Sequence, residues 1–407
     1  MATLTKQRQK LGKYSGTPVA LDGATLVANA MRQVRPDVVA AYPITPQTVI
    51  TEAFSEFVAN GEVDTEFIQT ESEHAAMSAC IGAAAAGART QTATSGPGLA
   101  LMFEVLYVAS GSRLPIVMHL CARALSAPLN ILCDHSDVMG IRDAGWVILL
   151  AESAQEAYDN AIQAVRIAEH PDVRLPVASV MDGFTTTHGV ERSELLPNEA
   201  VAEFVGPYKA PYSLLDVAHP VTLGALDFHD YYFEHKRQQI EAMERAREVI
   251  RCVGREYGEL TGRHYAALEP YRMEDAEVAT LVIGSSAGTM RVVVDELRRS
   301  GVRAGMVKLR CFRPFPGKEL AELLGGVHAV GIMDRSVSPG AANAPLFTEV
   351  SSALFQHGHA PLMRSYVYGL GGRTPGPAQF RQAYQDLLAC DTLETQPAAP
   401  RYLGLRE

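Results

Sequence analysis

The sequence predicts an α/β protein. From about Gly23 to His188 short apolar runs alternate with longer segments of helical period, and the same alternation returns after about residue 270. The runs are continuously apolar, which suits strands of a parallel sheet covered on both faces. At 407 residues, a prior of about 150 residues per domain gives two or three domains, long enough to bury a core without staples.

In chain order, residues 1–18 are polar and expected to be loose. Strands are predicted at Val38–Tyr42, Glu66–Gln69, Thr90–Thr94, Ile116–Leu120, Val147–Leu150 and Val177–Met181. Helices are predicted at about 24–33, 47–59, 73–87, 98–109 and 153–168. Eight of the fourteen residues from Ala75 to Ala88 are Ala, and Gly82 and Gly87 interrupt them. Such small side chains let another backbone approach closely, from the sheet or from a second subunit. Residues 190–225 are rich in Pro and poor in periodicity, and read as a crossing loop. Roughly 226–260 reads as a charged helix whose Tyr231, Tyr232, Ile240, Met243, Val249, Ile250 and Val253 pack on a domain or a partner. Ala279–Ile283, Gly301–Lys308 and His328–Met333 are further parallel strands, with a helix at about 287–299, in a second α/β domain running to about 392. The stretch Thr395–Pro400 has little pattern, and no short-period repeat is visible.

The formal net charge of -10 argues against nucleic acid or an anionic membrane as the main partner, because both favour a basic face. The longest run free of Asp, Glu, Lys and Arg is His74–Ala88, shorter than the roughly 20 residues a spanning helix needs. Met1–Tyr14 has basic residues with no apolar stretch behind them, unlike a secretory signal. Cysteines at 80, 121, 133, 252, 311 and 390 form no CxxC pair, which excludes a local cluster, zinc-ribbon or thioredoxin motif and fits a reducing cytoplasm.

Three segments of the first domain carry candidate chemistry. Ala41-Tyr42-Pro43-Ile44-Thr45-Pro46-Gln47 follows a strand and precedes a helix, the place where open α/β sheets bind ligands. Two prolines fix that loop and present the Thr45 hydroxyl, although a rigid strand-to-helix turn explains them equally. Gln69-Thr70-Glu71-Ser72-Glu73-His74 opens the Ala-rich helix. Helix-start electrostatics accounts for Glu71. Glu73 enters an almost wholly apolar helix, where a carboxyl group is driven toward its neutral, hydrogen-bond-donating form. His74 is read as a packing or interface residue.

The third segment contains Ser95-Gly96-Pro97-Gly98, Cys121-Ala122-Arg123, Asp134-His135-Ser136-Asp137 and Arg142-Asp143. Gly96 and Gly98 either offer N–H groups to an anion or form a plain turn. Arg123 ends a buried strand and needs a partner: a substrate carboxylate gripped by the guanidinium fork, or an internal Asp. The spacing of Asp134, His135 and Asp137 matches no metal motif. In the second domain, Gly284-Ser285-Ser286-Ala287-Gly288 lacks GxGxxG order, and Lys308-Leu309-Arg310 stands where a dinucleotide site has an acid, so a tight βα turn is expected.

The chain resembles the alpha subunit of 2-oxoacid:ferredoxin oxidoreductases, most closely the pyruvate-specific enzymes. The resemblance covers nearly the whole chain. It rests on Tyr42-Pro43-Ile44-Thr45-Pro46, Glu71-Ser72-Glu73 with its Ala-rich helix, Ala122-Arg123-Ala124-Leu125-Ser126-Ala127-Pro128, Arg142-Asp143-Ala144-Gly145-Trp146 and Met181-Asp182-Gly183-Phe184-Thr185-Thr186-Thr187-His188, in this order and spacing.

What the resemblance implies is a thiamine-diphosphate enzyme that splits a 2-oxo acid with coenzyme A into CO₂ and an acyl-CoA, passing electrons to ferredoxin, or runs in reverse. After an extension over 1–19, a pyrimidine-binding domain would span 20–190 and a connector 191–269. A domain similar to the transketolase C-terminal domain would span 270–392, with a tail over 393–407. Glu73 would hold N1′ of the aminopyrimidine, promoting loss of the thiazolium proton. Thr45 would face the 2-oxo acid and Arg123 would clamp its carboxylate, with Tyr42, Pro43 and Ile44 lining the thiazolium pocket.

The chain has no GDG motif followed by Asn for a magnesium diphosphate and no cluster-binding cysteine set. A beta subunit would therefore supply the diphosphate site, Mg²⁺ and a [4Fe–4S] cluster, alongside a gamma and a ferredoxin-like delta subunit. Cys121-Ala122-Arg123 stands where some close relatives have Asn before the Arg, and Asp134-His135-Ser136-Asp137 falls in a variable stretch, which leaves another 2-oxo acid open: branched-chain, aryl such as phenylglyoxylate, 2-oxoglutarate or oxalate. Alternative readings are a beta-type subunit of a lipoyl-dependent dehydrogenase, a transketolase relative, and a non-catalytic scaffold docking through the 226–260 helix.

Overall fold

The computed structural model describes residues 12–390 and 399–406. The expectations for 1–11, and for 391–398 in the tail, lie outside the described residues.

The strands are β1 (Thr17–Asp22), β2 (Val38–Ala41), β3 (Glu66–Gln69), β4 (Thr90–Thr94), β5 (Ile116–Ala122), β6 (Val147–Leu150), β7 (Val177–Asp182), β8 (Val190–Leu195), β9 (Leu268–Tyr271), β10 (Val278–Val282), β11 (Ala304–Leu309), β12 (Cys311–Arg313), β13 (Ala329–Asp334), β14 (Leu362–Tyr368) and β15 (Arg401–Leu403). The helices are α1 (Gly23–Val34), α2 (Thr48–Ala59), α3 (Glu73–Ala85), α4 (Gly96–Leu101), α5 (Phe103–Gly111), α6 (Ser136–Gly140), α7 (Ala154–Glu169), α8 (Asn198–Val205), α9 (Tyr232–Thr261), α10 (Ser286–Arg299), α11 (Gly317–Leu324), α12 (Pro345–Gln356) and α13 (Pro377–Leu388).

A seven-stranded sheet has the order β12-β6-β7-β5-β4-β2-β3, parallel except for the edge strand β12. A six-stranded sheet has the order β15-β14-β13-β10-β11-β9, parallel except for β9. β5, β6 and β7 are buried at every residue, as their unbroken apolar runs require. Side-chain caps set the helix starts: Asp22 Oδ1 accepts the Thr25 N–H at 2.8 Å, and Ser72 Oγ accepts that of Ala75 at 3.2 Å.

Four expectations are corrected. The crossing loop over 190–225 contains β8 and α8, and β8 pairs antiparallel with β1, so the N-terminal segment is tied down from Thr17 onward. Lys13 and Tyr14 also donate backbone N–H groups to Glu259 and Leu260 at the end of α9. The single helix expected at 98–109 breaks at Met102 into α4 and α5. The long helix begins at Tyr232, not near 226.

The two sheets meet along a polar seam. Lys308 Nζ, buried on β11, lies 3.0 Å from Glu156 on α7 and 2.8 Å from Glu269 on β9. Arg310 donates to Asn160 and Gln163 of α7 at 2.8 and 3.2 Å. The basic pair that breaks a dinucleotide pattern is thus what α7 demands. Among the described residues no helix is long and apolar enough to cross a membrane.

Candidate active site

The carboxyl ends of β2, β3, β4, β5 and β7 converge on one region of the larger sheet, and every candidate residue of the first domain lies on a segment leaving those ends. After β2, Gln47 is wholly buried and closes the loop: its Oε1 accepts the Ile44 N–H at 3.1 Å and its amide donates to Thr51 Oγ1. Tyr42, Pro43 and Thr45 are consequently exposed and Ile44 half-buried. The Thr45 hydroxyl has no hydrogen-bond partner among the described residues.

Glu71 is exposed, whereas Glu73, the first residue of α3, is only 6% exposed. Its carboxylate has neither a hydrogen bond nor an ion pair among the described residues. Neither carboxylate oxygen is fully sealed from solvent, so a group from outside the chain can reach it. Gly98 covers it: a Cβ there would lie 2.4 Å from Glu73 Oε1.

Arg123, one residue past β5, is also 6% exposed. Its Nε donates to the Asn130 carbonyl at 3.1 Å and its Nη1 to the Thr45 carbonyl at 2.8 Å. Its guanidinium forms no ion pair among the described residues, so the internal-Asp alternative does not hold. Burial pulls its pKa down, and only distant attraction from Asp137 opposes this. The stem of Arg123 lies against Gly96, where a Cβ would meet its Cδ at 3.1 Å. One short helix, α4, thus touches both Glu73 and Arg123, and Arg123 touches Thr45.

The alternative of an anion cradle at Gly96 and Gly98 is overturned. The Gly96 N–H donates to Asp137 Oδ2 at 3.0 Å, and the Gly98 N–H to the Ser95 carbonyl. Asp137 Oδ2 also accepts the Arg123 N–H at 2.9 Å, and Oδ1 that of Val138 at 2.7 Å. Burial pushes the Asp137 carboxyl up to about 8, against the pull of these three N–H groups. Asn130 is the site residue that sequence reasoning missed, and the roles of Asp137 and Gln47, which lie in the candidate segments, were missed with it. An Asp opening a five-residue helix carries no signal that it ties β4 to β5.

Asp182, at the end of β7, is the bracket between the sheets. It accepts from His135 Nε2 at 2.8 Å, Arg335 Nη1 at 2.7 Å, and the N–H and hydroxyl of Ser285 at 2.9 and 2.6 Å. Burial raises its pKa, but His135 and Arg335 outweigh that and hold the carboxyl below its ordinary range. Cys133, His135 and Asp182 place three ligand atoms within 4.8 Å of one another. The Arg335 guanidinium already fills the cationic role there. The Gly284-Ser285 turn is indeed a tight βα turn, and a Cβ at Gly284 would lie 2.8 Å from the Asp182 oxygens.

Residues 29–255 match the family model described as pyruvate flavodoxin/ferredoxin oxidoreductase, thiamine diP-binding, and residues 276–380 match pyruvate:ferredoxin oxidoreductase core domain II. The chain belongs to the pyruvate flavodoxin/ferredoxin oxidoreductase family. It is 57% identical over 389 residues to pyruvate synthase subunit PorA of Thermotoga maritima, covering 96% of this chain and 98% of that one. It is 46% identical to the corresponding subunit of Methanocaldococcus jannaschii, over 87% of this chain and 90% of that one. It is 43% identical to ketoisovalerate oxidoreductase subunit VorA of Pyrococcus horikoshii, over 89% of this chain and 91% of that one.

Among solved structures, 2-oxoglutarate:ferredoxin oxidoreductase from Magnetococcus marinus superposes with a TM-score of 0.72 at 18% identity, over 91% of this chain and 65% of that longer one. A split-gene transketolase described as an inactive beta4 tetramer superposes with a TM-score of 0.54 at 12% identity, over 91% of this chain and 99% of that one. Both matches show the fold, an α/β architecture. Family membership makes this chain a subunit of a thiamine-diphosphate-dependent 2-oxoacid:ferredoxin oxidoreductase and sets aside the lipoyl-dependent and transketolase alternatives.

Proposed function

We propose that this chain supplies the pyrimidine-side half of the active site, and that the 2-oxo acid is pyruvate. The observation that carries the proposal is that α4 packs on both Glu73, whose buried carboxylate has no partner among the described residues, and Arg123, whose guanidinium has no ion pair among them. The residues present suit thiamine diphosphate: an orphaned carboxylate matches N1′ of an aminopyrimidine, and the apolar Tyr42, Pro43 and Ile44 suit a thiazolium ring. When bound, that group supplies the carbon nucleophile and electron sink needed for decarboxylation.

Around it, the chain's own residues have separable tasks. Glu73 holds a proton with N1′, at a position Gly98 fixes from above. Arg123 fixes the substrate carboxylate until it leaves as CO₂. The Thr45 hydroxyl donates to the oxygen of the 2-oxo group, where negative charge develops. The assigned domains keep the bounds 20–190, 191–269 and 270–392.

The beta subunit holds the diphosphate, Mg²⁺ and a [4Fe–4S] cluster, with gamma and ferredoxin-like delta subunits completing electron transfer to ferredoxin. Coenzyme A takes the acyl group. The six described cysteines are unpaired, which supports a reducing, cytoplasmic setting. Pyruvate is favoured over ketoisovalerate because the pyruvate synthase relative is 57% identical and the ketoisovalerate relative 43%. The test is anaerobic, coenzyme A-dependent viologen reduction by the complex isolated through this chain. It is run against pyruvate, 2-oxobutyrate, 2-oxoisovalerate, 2-oxoglutarate, phenylglyoxylate and oxalate. A preference for pyruvate supports the substrate, and a preference for a branched acid replaces it.

A further inference from the structure

We propose that Asn130 is a positioning residue through which the smaller sheet sets the aim of Arg123. The inference rests on the reading of Arg123 as the carboxylate clamp and names a control of that same site.

The geometry forms an unbroken relay. Arg123 Nε donates to the carbonyl of Asn130 at 3.1 Å. The position of that carbonyl is set by the Asn130 side chain, whose Oδ1 accepts the Leu132 N–H at 2.7 Å and whose Nδ2 donates to the Gly371 carbonyl at 3.1 Å. Gly371 belongs to the turn Gly369-Leu370-Gly371-Gly372 that follows β14. The turn grips the same loop at two further points: Gly371 N–H donates to Asp134 Oδ2 at 3.1 Å, and Gly372 N–H to the Cys133 carbonyl at 2.7 Å.

Glycine is required at this contact. Gly371 has φ +58, and a Cβ there would lie 2.5 Å from Asn130 Nδ2. At Gly372, φ is +78 and a Cβ would lie 2.3 Å from that of Leu132. The Asn130 side chain therefore links the smaller sheet to the carbonyl that holds Arg123. A guanidinium gripping a planar carboxylate depends on direction as well as charge, so a shift of the Asn130 carbonyl changes substrate affinity before it changes anything else.

The test is a double-mutant cycle in the complete complex, with Asn130→Ala, Gly371→Ala and both together. Arg123→Met is the reference variant. Asn130→Ala keeps the backbone carbonyl but frees it to move, and is expected to raise the KM for the 2-oxo acid about tenfold, near the lower end for a hydrogen bond to a charged group. The kcat should fall less, and the KM for coenzyme A should not move. Gly371→Ala acts from the other sheet and should give the same split, because its Cβ displaces Asn130. In the double variant the Cβ meets no Nδ2, and the strain at φ +58 is common to both Gly371 variants, so its KM should be no higher than that of Gly371→Ala alone.

Additive effects, or equal shifts in both KM values, would reveal general loosening and overturn the relay. If Arg123→Met raises the KM while Asn130→Ala does not, the relay fails and the clamp stands. If Arg123→Met itself leaves the KM unchanged, clamp and relay fall together.

Discussion

Gly98 and Glu73 touch so closely that no side chain fits between them: a Cβ on Gly98 would lie 2.4 Å from Glu73 Oε1 and 2.7 Å from its Cδ. The contact joins α4, which follows β4, to the first residue of α3.

Gly98→Ala is therefore expected to cost activity rather than stability. Gly98 lies inside α4, where Ala is the better helix former by about 1 kcal/mol. The added methyl must push the Glu73 carboxylate aside, and misplacement by about 1 Å costs on the order of 10²-fold in rate. A fall in kcat without a fall in melting temperature is the expected outcome. Wild-type turnover in Gly98→Ala would remove Gly98 as the lid on Glu73.

Arg123→Met keeps the length of the stem and removes the fork. Hydrogen bonds to charged groups contribute about 1.5–3 kcal/mol, so the KM for the 2-oxo acid should rise about 10- to 100-fold. The KM for coenzyme A should stay constant. Steady-state kinetics with each substrate varied in turn checks this.

Asp137 gives a pH signature. Its carboxyl stands at about 8 in the folded chain against 3.8 ordinarily, raised by burial, lowered in part by the N–H groups of Arg123, Gly96 and Val138, and raised again by Asp134. The folded state thus holds a proton that the unfolded chain has lost, and this contribution to stability disappears as pH rises toward 8. Asp137→Asn cannot titrate, so the melting temperature of the wild type should fall relative to the variant between pH 6 and 9. A constant gap across that range would show that Asp137 is ionised throughout.

Lys308 anchors the seam between the sheets. Lys308→Met leaves Glu156 and Glu269 with lost partners, and breaking a buried pair on one side costs about 3–5 kcal/mol. A drop in melting temperature of roughly 10 °C is expected. Adding Glu156→Gln should restore part of it, and a melting temperature unmoved by Lys308→Met would contradict a structural role for the seam.

Ile116–Leu120 and Val147–Leu150 were legible because each is buried on both faces and so is almost wholly apolar. Glu66–Gln69, Thr90–Thr94 and Val147–Leu150 fall where their sequences place them. β1 and β8 were hidden because their partner segments are more than 150 residues apart and both are largely exposed. The break at Met102 was hidden because the residues on either side are all good apolar packers.

At the candidate site, Glu73 was visible as a single acid at the head of an Ala-rich helix. Arg123 stood out as a charge ending an apolar strand. The roles of Gln47, Asn130 and Asp137 were not visible, because each acts on backbone groups whose identity leaves no trace in sequence. The anion-cradle alternative at Gly96 fails for the same reason, since its N–H is claimed by a carboxylate 41 residues away.

The most direct test is Glu73→Gln in the intact complex, assayed anaerobically for coenzyme A-dependent viologen reduction with pyruvate beside the wild type. Gln keeps the size of the side chain and removes the carboxylate that shares a proton with the aminopyrimidine. With assembly and bound thiamine diphosphate unchanged, kcat should fall by at least about 10²-fold, the lower range for a positioned acid–base group. A complex that carries Glu73→Gln and turns over at the wild-type rate would contradict the assignment of Glu73, and with it the reading of this chain as half of the active site.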